Sequence, residues 1–177
     1  MYKRQDYNTV DMSRLRMYNE YLDPYKAAVD AGVGSVMSSF NLVDGKHATA
    51  NRWLLTDLLR NQWGFDGFVV TDYNSIGEMK VHGFGDDYSN AVSAFNAGTD
   101  MDMVSHRLLD QLTTALEKGD VTMADIDRAV YRVLEAKYKL GLFHNPYKYN
   151  DIAKESTEIY TPAHRDAARD MARKSFV

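Results

Sequence analysis

The residues of this chain best placed for chemistry are aspartates that follow apolar runs. In parallel α/β folds the reactive side chains sit just past the carboxyl ends of the strands. The residues at those positions here are Phe40-Asn41, Asp72-Tyr73 and Asp102-Met103. Asp72 comes directly after Val69-Val70-Thr71, so a strand end fixes its Cα while the carboxylate stands at the mouth of the sheet. That placement suits a nucleophile, a general base or a metal ligand. It equally suits a residue that only caps the following turn through its side chain. Asp100 and Asp102 alternate, so at strand period they share a face and can line a barrel interior or bind a cation. Together with Asp72 they form a candidate Mg2+ site for phosphoryl transfer, although a full ligand set is not evident. A salt bridge or a turn hydrogen bond is the expected fate of at least one of them.

Other reactive types lack the partners they need. His47, His82, His106, His144 and His164 are scattered, without metal-binding spacing, and read as surface or capping histidines. Ser38-Ser39 has no G-x-S-x-G elbow around it. Gly83 and Gly85 are a fragment of a phosphate loop without its lysine. Phe40 and Tyr73, at strand ends beside polar residues, can offer a ring face to a sugar or form a lid over the core. Trp53, Trp63, Tyr131 and Phe143 read as core aromatics.

The elements that must hold these residues alternate. Apolar spacing predicts a helix over 13–31, interrupted by Pro24 and closed by Gly32. A short strand is expected over 35–40, before the turn-prone Asp44-Gly45. Next come a helix over 52–63 with Asn51 as its cap, and a strand over 67–71 buried on both faces. A helix over 88–97 stopped by Gly98, a third strand over 99–104, and helices over 108–118 and 123–140 follow, with Thr122 marking the last start. A tyrosine- and turn-rich tail over 143–160 leads to a final helix with Thr161 as N-cap and Pro162 at N1. Helix and strand alternating with short connections imply a parallel α/β sheet.

Composition narrows the function classes. The 177 residues suffice for one ordinary domain and fall short of a complete (β/α)8 barrel. A net charge of -4 offers no basic excess for a phosphate backbone, so nucleic acid is not an expected partner. No apolar run approaches the roughly 20 residues needed to span a bilayer, and no membrane partner is expected. The absence of cysteine removes disulfides and cysteine-ligated metals.

Longer blocks carry a specific resemblance. Val36-Met37-Ser38-Ser39-Phe40-Asn41, Asp44-Gly45, Thr49-Ala50-Asn51, Leu54-Leu55-Thr56-Asp57-Leu58-Leu59-Arg60, Trp63-Gly64-Phe65 and Gly67-Phe68-Val69-Val70-Thr71-Asp72-Tyr73 closely resemble the barrel of family 3 glycoside hydrolases, the β-glucosidase group in particular. Ala97-Gly98-Thr99-Asp100-Met101-Asp102-Met103, Arg132-Val133-Leu134-Glu135-Ala136-Lys137 and Leu140-Gly141-Leu142-Phe143 continue it, and it runs to Ala172-Arg173-Lys174-Ser175-Phe176-Val177.

The resemblance implies the later part of a TIM-type (β/α) barrel, belonging to a larger multidomain enzyme. Residues 1–5 read as a translated sequencing-adaptor remnant, 6–160 as later strands and helices of the barrel, and 161–177 as the helix leading to an interdomain linker. The implied activity is that of a retaining exo-acting β-glucosidase, or a β-xylosidase, on terminal sugars of β-linked oligosaccharides or glycosides. Asp72 matches the family's nucleophile. Phe40, Asn41, Tyr73 and Met103 match positions near the sugar, and Phe40 stands where many members carry tyrosine. The acid/base, commonly supplied by a following α/β sandwich domain, and the Lys-His motif of earlier strands have no match in this chain. No cofactor or metal is implied, and related proteins of Gram-negative bacteria are often exported. A non-catalytic carbohydrate-binding remnant is the alternative. The part of a barrel expected here leaves sheet edges unpaired and strand faces uncovered, so marginal stability and self-association are expected of the chain by itself.

Overall fold

The computed structural model describes residues 9–176, and the expected adaptor remnant at 1–5 lies outside them. The chain divides into two compact units between Ala136 and Lys137. In the first, Thr9–Val10 forms β1 and Arg14–Arg16 forms α1, with a π-helical turn at Met17–Tyr21 before α2 at Asp23–Asp30. Ser13 starts the run by accepting the Arg16 N–H on its Oγ at 3.2 Å. Pro24 lies in the first turn of α2, where its missing N–H costs nothing, so it opens a new helix and does not kink one long helix.

Next come β2 (Ser35–Met37), β3 (Leu42–Val43), β4 (Lys46–His47), a 3-10 turn at Ala48–Ala50, the π-wound helix Trp53–Gln62 and β5 (Phe68–Val70). Asp44 and Gly45 both take positive φ, 52° and 72°, which closes β3 and β4 into a two-residue hairpin. β1 adds to the other side of β3 in parallel. Separately, β2 and β5 pair in parallel with Ser35 opposite Phe68 and Met37 opposite Val70, joined through the Trp53–Gln62 helix as a βαβ unit. Leu55 and Leu59 of that helix cover Val69, which is wholly buried. The other face of the sheet carries Met37, Val70 and Met101 side by side. Met37 is 55% exposed and Met101 44%, so this row is only partly covered.

The strand expected over 99–104 is reduced to one bridge, Val70 to Met101. Two groups compete with the ladder. The Asp100 carboxylate takes the Val69 N–H at 2.8 Å, a bond that a backbone carbonyl would otherwise accept. Val104 adopts a positive φ of 73°, which ends the extended chain.

Four helices complete the unit: α3 (Ser75–Glu78), α4 (Asp87–Ala97), α5 (Arg107–Lys118) and α6 (Met123–Lys139), the last running past the division at Ala136. Asp86 caps α4 through the Ser89 N–H, and Gly98 ends it at a φ of 113°. Ala91, Ala94 and Ala115, all wholly buried, let α4 and α5 approach closely beside Ile76 and Met79 of the α3 region. Thr122 and Asp125 open α6 as a reciprocal cap, each side chain accepting the other's N–H. Tyr131, expected in the core, is 63% exposed. It lies two residues from the buried Ala129 and so on the opposite side of the helix.

In the second unit, from Lys137, Gly141 at a φ of 76° stops the preceding helix, and the Leu142 N–H returns to the Lys137 carbonyl. Phe143, also expected in the core, is 62% exposed, because this turn carries it away from the helical face on which that expectation rested. A short helix, α7 (Ala153–Glu158), forms inside the stretch read as turns. α8 (Pro162–Ser175) begins as expected, with Thr161 Oγ1 accepting the His164 N–H at 3.2 Å.

Candidate active site

Parallel pairing places the ends of β2, β5 and the Met101 segment at one edge of the sheet. The loop after β5 is held there by its backbone. The Thr71 N–H donates to the Met101 carbonyl at 2.9 Å, and Thr71 Oγ1, wholly buried, accepts the Met103 N–H at 2.8 Å. Two residues past Asp72, Asn74 takes a left-handed conformation at a φ of 57° and donates its N–H to the Met103 carbonyl at 2.9 Å. The Ser75 N–H then closes a turn onto the Asp72 carbonyl.

The aspartates singled out from the sequence have different fates. Asp100 has a side chain only 2% exposed and pairs with Arg60 at 2.5 Å and Arg132 at 2.8 Å. Burial lowers the Arg60 guanidinium's pKa more than the Asp100 charge raises it. Asp102 accepts from Ser105 Oγ at 2.6 Å and from the Leu108 N–H, the work of a cap at the start of α5. These two carboxylates make structural contacts, and the described residues hold no group of three His, Asp or Glu able to bind a metal, so nothing among them favours the Mg2+ reading. Asp72 is half-buried, and its side chain accepts one bond, from the Tyr73 N–H at 2.6 Å. Among the described residues no guanidinium or ammonium group pairs with it. The turn-cap reading therefore accounts for one oxygen and leaves the other available.

Phe40 and Asn41 follow β2 on the same edge and are half-buried, as is Met103. The Asn41 carbonyl accepts the Ala48 N–H, which ties this loop to the hairpin. Tyr73 is 62% exposed and lies open beside Asp72.

Sequence reasoning missed the polar layer beneath the loop. Thr49 Oγ1 lies 2.9 Å from Ser38 Oγ and 2.7 Å from Ser75 Oγ. All three residues are buried, and Thr99 Oγ1 donates to the Thr49 carbonyl. His47 is expected from the sequence as a surface or capping residue. It does cap the 3-10 turn, with Nδ1 accepting the Thr49 N–H, yet it is only 1% exposed. Its Nε2 has no hydrogen-bond partner among the described residues, and its ring lies 6.0 Å from Phe84 and 6.3 Å from His82. Burial, then the His82 charge, push its pKa from 6.5 to about 4. The one signal available for Thr49 was a small polar residue between a hairpin and a helix start, which many surface threonines share.

Residues 3–136 match the glycosyl hydrolase family 3 N-terminal domain. The chain is 44% identical to the periplasmic beta-glucosidase of Salmonella typhimurium over 98% of its length and 23% of that protein's. It is 39% identical to a beta-xylosidase of Formosa agariphila over 94% of the chain and 24% of the relative. The crystal structure of a beta-glucosidase from Listeria innocua in complex with glucose superposes with a TM-score of 0.86 at 38% identity, covering 93% of this chain and 22% of that one. The chain thus spans about a quarter of the length of these relatives, and on the match across 3–136 it belongs to glycosyl hydrolase family 3.

Proposed function

We propose that this chain carries the nucleophile of a retaining exo-β-glycosidase of the β-glucosidase type, and that the nucleophile is Asp72. The observation that carries the proposal is the contrast among the three aspartates singled out from the sequence: Asp100 is taken by two arginines and Asp102 by a helix start, while Asp72 has no cationic partner among the described residues. In this reading Asp72 attacks the anomeric carbon as the bond to the leaving oxygen breaks, giving a glycosyl ester. A second carboxyl, roughly 5–5.5 Å away in retaining enzymes, protonates that oxygen and then activates the water that hydrolyses the ester. That carboxyl lies outside this chain, in a sandwich domain of the same polypeptide. Phe40 and Tyr73 pack on the sugar, with Asn41 and Met103 lining the same subsite. Residues 6–160 belong to the barrel and 161–177 lead toward the linker. Kinship to a β-xylosidase supports a second reading of the sugar, a terminal β-xyloside.

The test is incubation of the full-length reading frame with a 2-deoxy-2-fluoro glucoside bearing a good leaving group, followed by peptide mapping. One fluorosugar on the peptide containing Asp72 is the expected result. Labelling of another residue in protein that cleaves an aryl β-glucoside overturns the assignment.

A further inference from the structure

Among the described residues the Asp72 carboxylate is held by its own loop alone, so whatever fixes the loop fixes the reacting oxygen. On one side the loop hangs on Met103 through Thr71 and Asn74. On the other side Thr49 reaches it from the hairpin region, through Ser75 Oγ at 2.7 Å. Ser75 is the first residue of α3, and its N–H closes onto the Asp72 carbonyl. Thr49 and Ser75 are wholly buried and Ser38 is 4% exposed, so water does not replace a lost bond without the packing opening.

We propose that Thr49 is a positioning residue for the Asp72 nucleophile. Its hydroxyl links Ser38, just past β2, to Ser75, just past Asp72, and so sets the distance between two neighbouring strand ends. With one proton and two lone pairs, Thr49 Oγ1 can donate to one serine while accepting from the other. Valine has the same shape and can do neither. Without the hydroxyl, Ser75 turns away to find a partner, and the turn it closes on Asp72 moves with it. The proposal rests on the assignment of Asp72 as nucleophile.

The test is inactivation of the full-length enzyme by a 2-deoxy-2-fluoroglucosyl donor with a dinitrophenolate leaving group. That leaving group needs no protonation, so the first-order constant reports attack by the nucleophile. Thr49→Val should lower that constant about 10- to 100-fold while the reagent's binding constant stays within about 3-fold. Thr49→Ser should recover it to within about 3-fold of the wild type, because it keeps the hydroxyl. Ser75→Ala should match the loss in Thr49→Val, and the double variant should be no slower than either single one. Wild-type inactivation by Thr49→Val overturns the proposal, as does an equal loss in Thr49→Ser or multiplied losses in the double variant. If Thr49→Val does not fold, a wild-type rate in Ser75→Ala overturns it. Failure of the underlying assignment is read separately, as a wild-type label on a peptide that lacks Asp72.

Discussion

At the scale of single residues, burial and pairing separate groups that look equivalent in the sequence. Asp100 and Asp72 both lie beside β5, yet Asp100 is enclosed by two guanidiniums. Asp100→Asn leaves Arg60 and Arg132 buried without their counter-charge, and we expect a loss of about 3–5 kcal/mol in urea unfolding. Asp30→Asn, which breaks the exposed pair with Lys26, should cost less than about 1 kcal/mol in the same measurement. His47 adds a pH dependence. The unfolded imidazole takes its proton near 6.5, whereas the folded one resists until about 4. Across that window the unfolded state binds more protons, so stability is complete above 6.5 and falls as the pH drops toward 4, by up to about 3 kcal/mol. The urea midpoint followed against pH should show this slope, and His47→Gln should flatten it.

At the scale of elements, the positive-φ glycines give a comparison in which both residues are left-handed and the surroundings differ. Gly98 and Gly119 both end helices, at φ of 113° and 79°. A Cβ on Gly119 meets open space, while one on Gly98 falls 2.8 Å from Thr56 Oγ1, which donates to the Ala97 carbonyl. Gly119→Ala should cost about 1 kcal/mol and Gly98→Ala about 2 kcal/mol or more, read as shifts in thermal unfolding. Most helices were legible because periodicity and caps act locally: Asn51, Thr122 and Thr161 all accept the N–H bonds their types foretell. The pairing of β1 with β3 was not legible, because two-residue strands carry no period and their partner lies far along the chain. The loss of the third strand was equally hidden, since it depends on which N–H the Asp100 side chain reaches. Asp72 stood out by its position after an apolar run; that no described cationic group pairs with it became visible only once the arginines were placed.

At the scale of the whole molecule, the first unit has a well-packed side and an open one. The helices over Val69 leave it wholly buried, while Met37 and Met101 on the opposite face are about half exposed. A cavity of about 500 Å³, lined by Met17, Val29, Val36, Leu55, Leu59 and Trp63 among others, opens between α2, the edge of β2 and the Trp53–Gln62 helix. Exposed apolar surface beside an unpaired strand edge favours association with further copies. The isolated chain should therefore sediment as a concentration-dependent mixture larger than a monomer, and a single monomeric species over the whole concentration range would contradict this.

The two tethers from Met103 to the Asp72 loop are both main-chain atoms, one N–H and one carbonyl. The side chain at 103 is therefore not what secures the loop, and every amino acid except proline can supply the same pair of atoms. Under the proposed function, position 103 is thus a place to diversify by saturation mutagenesis, where a library retunes which sugar ring is preferred while Asp72 keeps its address.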